Sequence, residues 1–166
     1  MVFQTHLDYS AWASDELLRA ASQLPPGDLE RDFGTADRSV LGTLGHIFAA
    51  DRAWLSRVLG EAPPPYKVDR DLALLQSEWP ALWARWKEWA RGLTPESLQQ
   101  TMSYRDMSGN PWTQPLWQII LHVVNHATHH REQVAGFLRV MGHAPPKLDL
   151  IHYYRQMART TGSATS

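Results

Sequence analysis

LWQIILHVVNHATHHREQVAGFLRVM, residues 116–141, is the stretch that decides how this chain folds. Its apolar residues Leu116, Ile119, Ile120, Val123, Val124, Ala127, Val134, Phe137, Leu138 and Met141 recur at three- and four-residue steps. That is the repeat of an α-helix burying one long face. Gly142 follows as a stop signal. Set into the same helix are His122, His126, His129 and His130. Random placement of the chain's eight histidines would put only ~0.4 in the nine-residue window from His122 to His130, so the cluster calls for a chemical reason.

Spacing supplies one. Residues four apart on a helix share a face, one turn above each other, so His126 and His130 can aim two imidazoles at one metal ion. His122 extends the row by another turn, and His129 lies about 100° away around the helix. A helix rarely brings a third ligand to the same ion, so the third is expected from a neighbour. His46 is the candidate, set among Leu44, Ile47 and Phe48 on an apolar face. Burying its imidazole without a partner costs about 1–3 kcal/mol. Two readings stand at this point. Each histidine also has a plain role: His46 as a core residue bonded to a carbonyl or carboxylate, and His126 and His130 as part of a solvated face. His122 and His129 are read as supporting, capping or surface residues, and His6, His143 and His152 carry no pattern.

Outward from this helix, the rest of the chain divides at Pro and Gly. Residues 5–24 have helical spacing and end at Pro25-Pro26-Gly27. Ser39 is placed to cap a second helix running to about Leu59, before Gly60 and Pro63-Pro64-Pro65. A third, from about Asp69 to Gly92, carries Trp79, Trp83, Trp86 and Trp89 in a wide apolar stripe, and Pro80 predicts a kink or a short break in it. Those tryptophans are expected in the core or at an interface, with lining of a substrate pocket as the lesser reading. Residues 101–107 are compatible with a short extended piece turning at Ser108-Gly109-Asn110. A short last helix is expected over Leu148–Met157. Four long helices and no convincing sheet predict an all-α protein, a four-helix bundle with a short C-terminal helix. One domain over residues 1–158 and a flexible tail over 159–166 follow from the same pattern.

Composition narrows the function. The net charge of −1 and the absence of a Lys/Arg cluster give no basis for a nucleic-acid partner. There is no run of the ~18 apolar residues needed to span a bilayer, and the first residues lack the pattern of an export signal. No membrane partner and a cytoplasmic location are expected. The chain has no cysteine, which restricts metal ligands to His, Asp and Glu and leaves any thiol chemistry to a thiol brought by a substrate.

The segments Leu44-Gly45-His46-Ile47-Phe48-Ala49-Ala50-Asp51-Arg52-Ala53-Trp54-Leu55 and His122-Val123-Val124-Asn125-His126-Ala127-Thr128-His129-His130-Arg131-Glu132-Gln133 resemble the second- and fourth-helix motifs of the DinB/YfiT-like metal-binding bundles, in the DinB branch. Tyr9-Ser10-Ala11-Trp12-Ala13 and Gly142-His143-Ala144-Pro145-Pro146 extend the resemblance over nearly the whole chain. It implies a DinB-type bundle, often dimeric, with His46, His126 and His130 holding one divalent metal ion per chain, nickel or zinc foremost. Glu132 stands where the family commonly has Gly, which bears on access to the site. Asp51, Asn125 and Gln133, near the ligands in sequence, are candidate supporting groups.

Three imidazoles leave a coordination position free, which favours catalysis over a closed structural site. The wider superfamily includes bacillithiol S-transferases and mycothiol-dependent maleylpyruvate isomerase. The expectation is a metal-dependent enzyme that activates a low-molecular-weight thiol, or water, against an electrophilic small molecule. A non-catalytic, stress-associated metal-binding structural protein is the alternative. Trp83, Trp86 and Trp89 also suggest more apolar area than one core needs, hence a homodimer.

Overall fold

The computed structural model describes residues 2–162. In chain order the elements are α1 (Val2–Ala21), α2 (Pro26–Leu29), α3 (Val40–Val58), α4 (Leu72–Arg91), α5 (Pro95–Gln99), β1 (Thr101–Arg105), β2 (Pro111–Pro115), α6 (Leu116–Val140) and α7 (Leu150–Gly162). The four long helices pack in the ring order α1–α4–α3–α6. Consecutive helices are therefore neighbours only between α3 and α4. The links from α1 to α3 and from α4 to α6 must cross an end of the bundle, and both are long. None of the described helices is long and apolar enough to cross a membrane.

Local chemistry sets the boundaries. The Ser39 hydroxyl accepts from the Gly42 N–H at 3.0 Å and starts α3, as an N-cap should. Asp71 does the same for α4, accepting from the N–H groups of Ala73 and Leu74. Thr94 and Ser97 form a reciprocal capping box at α5. Gly142, at φ 82°, turns the chain out of α6 while His143 N–H donates to the Leu138 carbonyl at 2.9 Å. Pro80 does not break α4, which runs through it without interruption. It sits on the solvent side, where water can satisfy the carbonyl its ring leaves unbonded.

The extended piece expected over residues 101–107 is present as β1, and beyond that expectation it pairs with β2 as an antiparallel hairpin, with Thr101 opposite Pro115 and Arg105 opposite Pro111. Asp106 closes the turn by accepting from Ser108 N–H, Asn110 N–H and side-chain amide, and Trp112 Nε1. Proline at both ends of β2 and the lack of apolar alternation hide this pairing from a reading of periodicity. The last helix also runs further than expected, to Gly162. The tail expected from residue 159 thus begins inside α7, and residues 163–166 lie outside the described residues.

The tryptophan stripe is core. Trp79, Trp83 and Trp86 are buried, so the surplus apolar area on which a dimer was argued is confined to half-buried Trp89. Trp79 Nε1 donates to the Asp51 carboxylate at 3.0 Å, and Trp86 Nε1 donates to the Asp51 carbonyl at 3.2 Å. One residue of α3 thereby satisfies two indoles of α4. Across the same interior, the Arg131 guanidinium of α6 is 1% exposed. Its Nη1 donates to the Ser10 carbonyl and hydroxyl of α1, at 3.3 and 3.0 Å, and its Nη2 to Thr128 Oγ1 at 2.9 Å. It also packs 5.4 Å from the Tyr9 ring centre.

Complete burial pushes the Asp51 carboxyl up to about 7, against the lowering influence of Trp79 and Arg131. Between about pH 4 and pH 7 the folded chain therefore holds a proton that the unfolded chain releases. This contribution is fully present below the unfolded pKa and is lost as pH rises through about 7. Urea unfolding should show wild-type stability falling with pH across that window relative to Asp51→Asn, by about 1 kcal/mol per unit. Parallel stability curves for the two proteins would contradict this.

Candidate metal centre

His46 enters from α3, and His126 and His130 enter from α6 one turn apart. The structure brings the three together: one nitrogen from each lies within 4.8 Å of the other two. The His46 and His126 Nε2 atoms are 3.1 Å apart, and the His130 ring lies 4.4 and 4.5 Å from those of His46 and His126. Ligands at about 2.0–2.1 Å around a tetrahedral ion lie roughly 3.3 Å from one another. The closest pair is near that spacing, and the third nitrogen lies within 4.8 Å of both. These residues can hold a metal ion.

The outer nitrogens are anchored, which fixes where the inner ones point. His130 Nδ1 donates to Gln133 Oε1 at 2.7 Å, leaving Nε2 without its proton and able to offer a lone pair. His46 Nδ1 meets the Tyr66 hydroxyl at 2.8 Å. The Asp37 carboxylate stands behind both rings, at 3.5 Å from His46 Nδ1 and 3.8 Å from His130 Nδ1. Desolvation first, and then the neighbouring histidines, hold His126 down to about 3. Desolvation likewise lowers His46, against the pull of Asp37. Both are neutral at physiological pH, the form that donates a lone pair.

Two glycines make this arrangement possible. A Cβ on Gly42 would fall 2.0 Å from the Asp37 carbonyl oxygen, and one on Gly45 would fall 2.2 Å from the Asp69 carbonyl oxygen. Without side chains there, residues 30–39 approach α3 at Gly42 and residues 60–71 approach it at Gly45. The first delivers Asp37 and the second Tyr66. The first segment is folded in its own right: Asp32 accepts from Gly34 N–H at 2.8 Å and from Arg38, and Phe33 stacks on Phe137 of α6 at 4.2 Å.

Of the supporting groups expected from sequence, Gln133 stands behind His130. Asp51 does not reach the triad, because its carboxylate faces inward to Trp79. Asn125 lies on the exposed side of α6, turned away because it immediately precedes an inward His126. Glu132 is exposed too, and so presents its carboxylate to solvent. His122 packs between Trp54 and His126, with ring centres 5.2 and 5.6 Å away. His129 packs against His130 at 4.9 Å on the exposed side. Asp37 and Tyr66 were missed because both arrive on irregular segments. Their signal was indirect, the Gly42-x-x-Gly45-His46 spacing. A separate cleft of about 610 Å³, lined by Trp12, Trp79, Trp83 and Tyr153 among others, shares no residue with the triad.

Because Asp37 and Tyr66 hold the ligands without touching the core, Asp37→Asn and Tyr66→Phe should each weaken metal affinity by about 10–100-fold. A chelator-competition titration reads this directly. The melting temperature of the metal-free variants should match wild type, and unchanged affinity in both variants would contradict the role given to these residues.

The comparisons with known proteins agree with this geometry. The profile of the DinB family matches residues 1–161. The chain is similar to Protein DinB of Bacillus subtilis (strain 168), at 23% identity over 158 residues, covering 86% of this chain and 87% of that one. Its fold is similar to the crystal structure of a DinB-like protein from Bacillus cereus ATCC 10987, with a TM-score of 0.62 and 19% identity, covering 86% of this chain and 94% of the other. With nearly its whole length matched, the chain belongs to the DinB family.

Proposed function

We propose that this protein is a metal-dependent enzyme that activates a low-molecular-weight thiol, or water, against an electrophilic small molecule, as an S-transferase or hydrolase. The observation that carries this reading is a triad of three imidazoles and no fourth ligand among the described residues. Its side chains are not sealed from solvent: His46 is 22% exposed and His130 14%. Structural zinc sites are closed by four protein ligands, whereas catalytic sites keep a position open.

His46, His126 and His130 would hold one divalent ion, nickel or zinc. When bound, such an ion lowers the pKa of a thiol or water that it coordinates and so supplies a nucleophile at neutral pH. The chain's own residues prepare the place. Gln133 and the Asp37–Tyr66 pair keep three lone pairs aimed at one point, so little is reorganised when the site fills. The chain contributes no thiol, having no cysteine, and a thiol nucleophile would come from solution. Low-molecular-weight thiols are kept reduced in the cytoplasm, which is where this reading places the protein.

A second reading, a non-catalytic metal-binding structural protein of a stress response, draws on the fact that the triad joins α3 to α6. Turnover separates the two. With nickel or zinc at one per chain, a colorimetric assay of free thiol should show consumption with an activated aryl halide or an epoxide at least tenfold above the protein-free rate. The rate should fall to background in His126→Ala. Full metal loading with no turnover for any thiol or ester substrate, and no change in the metal's spectrum on adding thiol, would leave the structural reading. Under either reading, chelation should lower the melting temperature. Stabilisation at metal concentrations 100-fold above Kd is about 2.7 kcal/mol, which corresponds to roughly 5–10 °C in a domain of this size.

A further inference from the structure

Some arginines of the described chain meet a carboxylate, and Arg57, with Arg105 beside it, does not. Arg19, Arg38, Arg85 and Arg91 each pair with a carboxylate. Arg57 pairs with none among the described residues. Its one hydrogen bond runs from Nη2 to the Arg105 carbonyl at 3.1 Å. Asp106 is the carboxylate close enough to favour its charge, but the Asp106 oxygens already accept from Ser108, Asn110 and Trp112. The guanidinium is half-buried and lies 4.5 Å from the Trp54 ring centre and 5.6 Å from that of Tyr104. Those rings meet edge to face at 5.0 Å, and Tyr104 is fixed by its hydroxyl donating to Gln114 Oε1 at 2.6 Å. The hairpin thus supplies one wall of a clamp that holds a cation flat and leaves donors unused.

The position of the clamp gives it a purpose. Trp54 and Arg57 stand about two and three turns beyond His46 on the same side of α3. His122, one turn before His126 on α6, packs against Trp54 at 5.2 Å and lies 5.6 Å from His126. A row of rings therefore leads from the triad through His122 and Trp54 to the guanidinium. His46 and Arg57 are about 16 Å apart along the helix axis. The Arg57 side chain folds back over Trp54, which brings the span to on the order of 10 Å.

We propose that Arg57 is the anion-binding end of the site, taking a substrate carboxylate while the substrate's reactive thiol lies at the triad and its middle runs over His122 and Trp54. A guanidinium presents paired donors that match a carboxylate, and the flanking rings hold the fork in place before the ligand arrives. The inference rests on the metal-site reading and narrows its substrate to a thiol with a distant carboxylate.

The test uses ω-mercaptocarboxylates from 3-mercaptopropionate to 11-mercaptoundecanoate, each beside its methyl ester, on wild type, Arg57→Gln and Arg57→Lys. Gln removes the charge while keeping a polar side chain, and the cobalt measurement checks that the fold and the triad survive the substitution. Cobalt(II) uptake is measured first by absorption, then dissociation constants by calorimetry. Wild type and Arg57→Gln should take up cobalt alike. The longer acids should bind wild type about tenfold to a hundredfold more tightly than their esters, and 3-mercaptopropionate should show no such preference. Arg57→Gln should lose the preference and Arg57→Lys keep part of it. Equal affinity for acid and ester at every length, or a preference that survives in Arg57→Gln, overturns the clamp alone. No cobalt uptake by wild type overturns the metal reading and this inference with it.

Discussion

Two buried ionisable groups on facing helices set the terms for the rest of this bundle. Asp51 of α3 and Arg131 of α6 both lie in an apolar interior, and each shifts the ionisation of the other. Taking either charge out of water is costly unless its donors or acceptors are met. Asp51 is met by the indoles of α4, and Arg131 by Ser10 and Thr128. Each group thus ties its helix to another, Asp51 joining α3 to α4 and Arg131 joining α6 to α1. A rotation of α3 would strand Asp51 and a rotation of α6 would strand Arg131, so the facing of each helix is specified, α3 against α4 and α6 against α1. Arg131 also follows His130 directly in sequence. The constraint that seats Arg131 inward therefore fixes how far around α6 the His126–His130 row faces.

With α3 and α6 locked, the site is completed by the irregular segments before and after α3, residues 30–39 and 60–71, rather than by helices. Gly42 and Gly45 are the enabling residues, because any Cβ there would collide with backbone carbonyls of the segments they carry. Glycine in a helix costs about 1 kcal/mol relative to alanine. The chain accepts that cost twice within one turn, at the turn that ends on His46. What it gains is a carboxylate and a phenol behind the imidazoles, and hence ligands whose orientation is set before any ion arrives.

The helices and the three-histidine cluster were legible in sequence because each rests on a local rule. The stripe of α6 gives the helix, and His126 and His130 share a face by simple periodicity. His46 is an imidazole amid Leu44, Ile47 and Phe48, and so needed a partner. Ser39 marked the start of α3 correctly because an N-cap is a contact within a few residues. What stayed hidden depends on contacts distant in sequence. Asp37 and Tyr66 reach His46 only after two irregular segments fold over glycines. Asp51, close to His46 in sequence, points to Trp79 instead, since proximity along a helix does not give a shared face. The hairpin carries a weak strand signal because its stability comes from Asp106 at the turn and from Tyr104 packing on Trp54. The missing carboxylate of Arg57 is likewise an absence that only the folded chain can display.

The central claim is that His46, His126 and His130 form one ligand set with a position left for a substrate. The most direct measurement is anomalous diffraction at the zinc or nickel edge from crystals grown with that ion. The account predicts one strong peak per chain, about 2.0–2.2 Å from the Nε2 atom of each of the three histidines, with a non-protein ligand completing the coordination. A peak at His122 or His129 instead, or a fourth protein side chain closing the sphere, would contradict it.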